Sequence, residues 1–189
     1  MSKVIMSAEV LRDLATVGLV ANDYKGGKPI LGRVVFECAG SGIKSYATDS
    51  YRIAEVTREV LSVEDVERFE INAKHLEGAV KAIGARFRGD VEIEVGPDTV
   101  TITGGVSVTR VYREDIDGNG NYPDLANLWP SSFNGFDGAV TFNPKFLATL
   151  PKLAGMGDYV SIQATDNNHP SLFSSKDGLT RYLLMPVRA

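Results

Sequence analysis

Ile71-Asn-Ala-Lys-His-Leu-Glu-Gly-Ala-Val-Lys-Ala-Ile-Gly84 and Phe142-Asn-Pro-Lys-Phe-Leu-Ala-Thr-Leu-Pro-Lys-Leu-Ala-Gly155 are one pattern written twice. Asn72 aligns with Asn143, Lys74 with Lys145, Leu76 with Leu147, Lys81 with Lys152 and Gly84 with Gly155, without a gap. A repeated helical unit is the signature of a chain built from stacked modules. The lysines of each pair are about two helical turns apart, so each pair is expected on one side of its helix.

Around these helices the sequence makes three passes of one order, β-α-β-β-β. The first begins with a strand at Lys3 to Met6, then Ser7 as N-cap of a helix whose apolar side carries Leu11, Leu14 and Ala15. After the turn-rich stretch from Asp23 to Pro29 come strands at Ile30 to Cys38, Ile43 to Thr48 and Tyr51 to Val60. In the second, Phe69 to Ile71 leads to Asn72 as N-cap, and Leu76, Ala79, Val80 and Ile83 form a helical stripe. Strands at Val91 to Val95, Thr99 to Thr103 and Val106 to Tyr112 alternate with period two, as sheets with one buried face do. The third runs from Ala139, with Asn143 as N-cap and Pro144 at the first helical position. Pro151 removes an interior hydrogen bond, so this helix is expected to be short or bent. Strands at Tyr159 to Ala164, Ser171 to Ser174 and Leu179 to Val187 complete it. The fold class is α+β, with helices on one face of antiparallel sheets. Residues 1–130 are expected to form a domain of two modules and residues 131–189 a third module, an apparent half-domain.

At 189 residues, 43% hydrophobic and 23% charged, the chain has an ordinary globular composition. Its apolar runs fall short of the roughly 20 residues that span a bilayer, and the N-terminus has no signal-peptide core, which gives the cytoplasm as the expected location. The single cysteine, Cys38, excludes an internal disulfide and reads as a small core residue. A net charge of −4 argues against a generally adhesive nucleic-acid binder while leaving room for a local basic surface.

Four motifs carry a family resemblance. Ala47-Thr-Asp-Ser-Tyr-Arg-Ile-Ala54 resembles the strand turn "ATDxxRLA" of the bacterial sliding clamps, the beta subunit of DNA polymerase III. Asp117-Gly-Asn-Gly-Asn-Tyr-Pro-Asp124, reaching Trp129-Pro130, is similar to their interdomain link "IDGxFPDYxxxxP". Phe142-Asn-Pro-Lys-Phe-Leu147 resembles "FNxxYL", and the ending Tyr182-Leu-Leu-Met-Pro-Val-Arg-Ala189 resembles "YxxMPMRL". They occur in the family's order and span most of the chain. The resemblance implies a DNA-clamp-like fold and a non-enzymatic processivity factor without cofactor. Its implied partners are duplex DNA, a DNA polymerase with other clamp-motif proteins, and a clamp loader. Bacterial clamps have six modules per chain and close as dimers, and other clamps have four and close as trimers, whereas three are counted here. A shortened, phage-like member is implied, and a twelve-module ring would take four chains. The third module would then complete its sheet and core with a neighbouring chain. The odd count also motivates an alternative: a non-encircling adaptor or inhibitor that binds clamp-interacting peptides or a cellular clamp.

Two surfaces follow from the resemblance. The first is a ring lining that meets the duplex backbone: Arg12, Lys74, Lys81, Arg86, Arg88, Lys145 and Lys152. Such contacts neutralise phosphates, read no base edges and permit sliding. The second is a groove for short linear motifs, built from Thr48, Tyr51, Arg52, Ile53, Pro130, Asn143, Phe146, Met185, Pro186, Val187 and Arg188. An apolar pocket with a flexible Met, an aromatic wall and a few polar anchors suits an extended peptide. Phe146 stands where the family has Tyr, and Ala189 where it has Leu.

Other signals carry no chemistry. Asp115-Ile-Asp-Gly-Asn-Gly120 imitates the start of a calcium loop, but its twelfth position is Ala126, where a bidentate Glu is required. Gly26-Gly-Lys28 lacks the spacing of a phosphate-binding loop. His75 and His169, the only histidines, form neither a zinc set nor a Ser-His-Asp arrangement. Trp129 reads as an anchor packing the link onto a domain.

Overall fold

The computed structural model describes residues 2–22, 29–112, 121–133 and 138–187. Strand β1 (Ser2–Ser7) leads into α1 (Ala8–Ala15) and α2 (Gly18–Asn22), followed by β2 (Arg33–Ala39), β3 (Gly42–Thr48), β4 (Arg52–Glu59) and β5 (Ser62–Glu64). Next come β6 (Arg68–Asn72), α3 (Ala73–Ile83), β7 (Asp90–Val95), β8 (Thr99–Gly104) and β9 (Ser107–Tyr112). The last part holds α4 (Pro144–Leu147), β10 (Ser161–Gln163), β11 (Ser171–Ser174) and β12 (Thr180–Leu184).

The helices start where short polar side chains can take up a free backbone N–H. Ser7 Oγ accepts from the Val10 amide at 3.2 Å, Asn72 Oδ1 from Lys74 at 3.0 Å and Asn143 Oδ1 from Lys145 at 3.0 Å. Helix α4, that of the third pass, is a single turn. It stops at Leu147, and a separate 3-10 turn over Leu150–Lys152 carries Pro151. Lys145 and Lys152 therefore do not share one helix, and the helical-face argument holds for Lys74 and Lys81 alone. Among the described residues, no strand lies between β9 and α4.

Two antiparallel sheets result. One has the order β5-β1-β7-β8-β9, and the other runs β10-β11-β12-β4-β3-β2-β6. In the seven-stranded sheet β12 lies against β4, with Thr180 opposite Val56 and Leu184 opposite Arg52. This corrects the expectation that residues 131–189 need a neighbouring chain for their sheet. Strand β4 would otherwise leave an open row of N–H and C=O groups, and β12 fills it. The core is likewise shared: Leu150, Leu153, Met156, Phe173 and Tyr182 belong to the same buried cluster as Val4, Leu11, Leu14 and Leu76. Phe36 and Phe69, paired across β2 and β6, stack with centroids 4.7 Å apart. Polar ties join the parts: Ser45 Oγ donates to the Leu14 carbonyl at 2.8 Å, and the Ala154 amide donates to Thr16 Oγ1 at 3.3 Å.

The seven-stranded sheet is covered on both faces. Val34 and Phe36 point into the helix-bearing core, while Val35, Tyr46, Ile53 and Leu183 form a second cluster closed by Tyr122 and Leu125 of the link. The link thus lies over the outer face of the sheet, and that placement creates the site.

Candidate functional site

The site is organised by the turn between β3 and β4. Asp49 Oδ1 accepts from the Tyr51 and Arg52 amides at 3.0 and 3.1 Å, an aspartate turn closed by its own side chain. Thr48 Oγ1 donates to the Arg52 carbonyl at 2.8 Å. Ser50 takes a positive φ of 77°, which the surrounding hydrogen bonds hold in place. This geometry throws Tyr51 outward, 62% exposed, and turns Arg52 inward, 2% exposed.

The outward side meets α4 and the C-terminal segment. The Tyr51 ring stacks on Phe146 with centroids 6.0 Å apart. The Met185 amide donates to the Tyr51 carbonyl at 3.0 Å, and the Val187 amide to the Thr141 carbonyl at 2.8 Å. Pro186, between them, has no N–H to place. Beside this junction opens a predominantly apolar groove of about 580 Å³. Of the residues predicted for the peptide site, Thr48, Tyr51, Arg52, Ile53 and Met185 line it. Phe146 supports Tyr51 from behind, and Asn143 caps the helix that carries Phe146. Pro130, Pro186 and Val187 are not in its lining, and Arg188 lies outside the described residues, as does the Asp115–Gly120 stretch. Sequence reasoning missed Ile30, Leu31, Leu128, Pro170 and Leu183, which supply much of the apolar wall. Of these, Leu128 was within reach, since it lies in the link two residues before the proline singled out there.

Arg52 is a structural group more than a ligand-facing one. Its Nε donates to Asp49 Oδ2 at 2.7 Å and its Nη1 to Thr149 Oγ1 at 2.6 Å and Tyr182 Oη at 3.4 Å. The guanidinium also lies 4.5 Å from the centre of the Phe146 ring. Burial pushes the Tyr182 hydroxyl up to about 12, with the Arg52 hydrogen bond and charge opposing it. Burial likewise raises Tyr122, whose oxygen accepts from the Thr48 amide at 2.9 Å.

The cations predicted for a duplex-facing surface have different fates. Lys74, Lys81, Arg86, Arg88, Lys145 and Lys152 are exposed. Lys81 pairs with Glu77 one turn earlier in α3, and Arg88 Nη1 folds back on the Ala85 carbonyl at 2.8 Å. Arg12 is half-buried, and its Nη2 donates to the carbonyls of Gly84 and Phe87 at 2.9 and 2.6 Å, closing the loop after α3. That use leaves Arg12 a fold-holding role first. Among the described residues, no three His, Cys, Asp or Glu side chains stand together as a metal site. No described helix is long and apolar enough to cross a membrane.

No family model matches the sequence, and no curated protein matches it. Solved structures do match. The DNA polymerase sliding clamp of Bacillus subtilis is similar with a TM-score of 0.80 at 18% identity, over 99% of this chain and 64% of that one. The DNA polymerase III beta subunit of Thermotoga maritima gives 0.78 at 14%, over 100% and 66%. The beta subunit from the DNA polymerase of Streptococcus pyogenes gives 0.80 at 16%, over 100% and 66%. The chain thus spans about two thirds of the length of these proteins, and its fold is that of the DNA polymerase III beta sliding clamps.

Proposed function

We propose that this chain is a non-enzymatic processivity factor that closes as an oligomeric ring around duplex DNA and tethers a polymerase through the groove beside Tyr51. The observation that carries the reading is a coincidence. A clamp fold runs over the whole chain, and an apolar groove opens at the turn, link and C-terminal segment where the clamp motifs imply a peptide site. An extended peptide would seat its apolar side chains against Ile53, Leu183 and Met185 and lie over the Tyr51 ring. The exposed Lys74, Lys81, Arg86, Lys145 and Lys152 supply loose phosphate contacts, weak singly and sufficient when enclosure prevents escape. A clamp loader would open such a ring.

Ring closure finds support in one edge strand from each sheet. Strand β9 ends one sheet with Val108 and Tyr112 exposed, and β10 ends the other with Ile162 exposed. A head-to-tail contact between unlike edges repeats around a ring when its rotation closes, and four chains of three modules would make twelve. Light scattering across a concentration range is expected to give a tetramer. The same preparation should stay on nicked circular duplex and slide off once the circle is linearised. A monomer at every concentration, or equal retention on both DNA forms, would overturn the enclosing ring.

A further inference from the structure

We propose that residues 121–130 form a strap whose Trp129–Arg181 stack sets the width of the groove, making Trp129 and Arg181 positioning residues for the bound peptide. This rests on the reading of the groove as a peptide site. The strap is fastened at both ends, with Leu125 buried between them. At its start, Tyr122 accepts the Thr48 amide and sets its ring edge-on to Tyr46, centroids 5.9 Å apart. At its end, the Arg181 guanidinium lies 4.2 Å from the centre of the Trp129 ring, a cation–π stack. Arg181 is itself held, because its Nε donates to Glu55 Oε1 at 2.9 Å and Glu55 is only 5% exposed. A second ion pair, Lys44 to Glu37 at 3.3 Å, flanks the first, and Tyr46 donates to Glu37 at 2.7 Å.

Between the two fastenings the strap forms a wall. Pro123, Leu125, Asn127 and Leu128 face the groove, with Asn121 just ahead of Tyr122. Behind the wall is a second cavity of about 330 Å³, lined by Trp129, Arg181, Glu55 and Lys44 among others. Ile53 and Leu125 line both cavities and so partition them. A close-packed wall would have nowhere to go, but this one has free volume on each side. Its position is therefore set by Leu125, buried in the outer-face cluster, and by its end fastenings, and of the two ends only Trp129 is held by a side-chain stack at the surface.

The test uses the full chain and a fluorescein-labelled extended peptide bearing leucine and phenylalanine. Trp129→Ala is expected to weaken binding by about tenfold, the scale of one lost cation–π contact. Trp129→Phe, which keeps a ring under Arg181, is expected to restore most of it. Unchanged binding by Trp129→Ala, with Met185→Ala still weakened, would overturn the strap and leave the peptide site standing. Absence of binding by the unsubstituted chain would instead overturn the peptide reading. The strap is then tested alone by amide hydrogen exchange in Trp129→Ala. Faster exchange over 121–130 with β4 and β12 unchanged is expected, and unchanged exchange in the strap overturns it.

Discussion

Replacing Arg52 by Met should unfold the protein early, because Arg52 is a buried fastener. The Arg52–Asp49 pair is nearly dry, with side-chain exposures of 1% and 6%. Methionine fills much of the volume but leaves the Asp49 carboxylate without its cation, and Thr149 and Tyr182 lose a donor. Removing one partner of a buried ion pair typically costs about 3–5 kcal/mol. In a domain of this size that corresponds to a fall in Tm of roughly 6–20 °C. Asp49→Asn keeps the oxygen that accepts the Tyr51 and Arg52 amides, so the double variant Arg52→Met with Asp49→Asn should recover about 2 kcal/mol of the loss. Urea titration followed by far-ultraviolet circular dichroism reads all four corners of the cycle. A single-variant loss below about 1 kcal/mol, or no coupling to Asp49, would refute the buried-fastener account. It would favour Arg52 as a ligand-facing group, whose loss appears in peptide affinity and not in stability.

Other outcomes follow from the same physics. Tyr182 is raised to about 12, so its contribution to stability is complete below the ordinary tyrosine value near 10 and is lost as pH rises toward 12. Unfolding in alkali should therefore coincide with a cooperative rise in tyrosinate absorbance, and a gradual rise without unfolding would contradict it. Burial alone would raise Glu37, but hydrogen bonds from Tyr46 and Lys44 bring it below the ordinary value. Its share of stability is present at neutral pH and is lost as pH falls through that lowered value. Glu37→Gln should flatten the acid limb of a stability–pH curve, and an unchanged limb would count against this. Asn72→Ala should cost about 1 kcal/mol by removing the cap of an eleven-residue helix. Asn143→Ala should cost less in the one-turn α4 and should loosen Phe146, and chemical denaturation that reversed this order would be inconsistent with the two helix lengths.

The readable parts of this chain were the local ones. Ser7, Asn72 and Asn143 cap helices because a short polar side chain reaches a free N–H within its own turn, a fact that neighbouring residues alone dictate. Alternation from Val91 to Tyr112 gave β7, β8 and β9 within a residue or two for the same reason. Strand β5 was missed because a three-residue edge strand has too few residues to show a period, and it exists only because β1 offers it an edge. Helix α2, with five residues, is likewise too short to show a period. At the site, Thr48, Tyr51, Ile53 and Met185 were legible through the clamp motifs, as Leu183 of the C-terminal motif could have been, whereas Ile30 and Pro170 reach the groove from segments outside those motifs.

By itself, then, the sequence determined the repeated helix pattern and its caps, products of interactions a few residues apart, while the resemblance supplied the side chains of the proposed groove. The tertiary structure decided that β12 pairs with β4. It decided that Arg52 faces inward, and that the link crosses the outer face of the sheet with Trp129 under Arg181. Those outcomes depend on which open edge or uncovered apolar face comes within reach once the chain collapses. Local periodicity does not encode that choice.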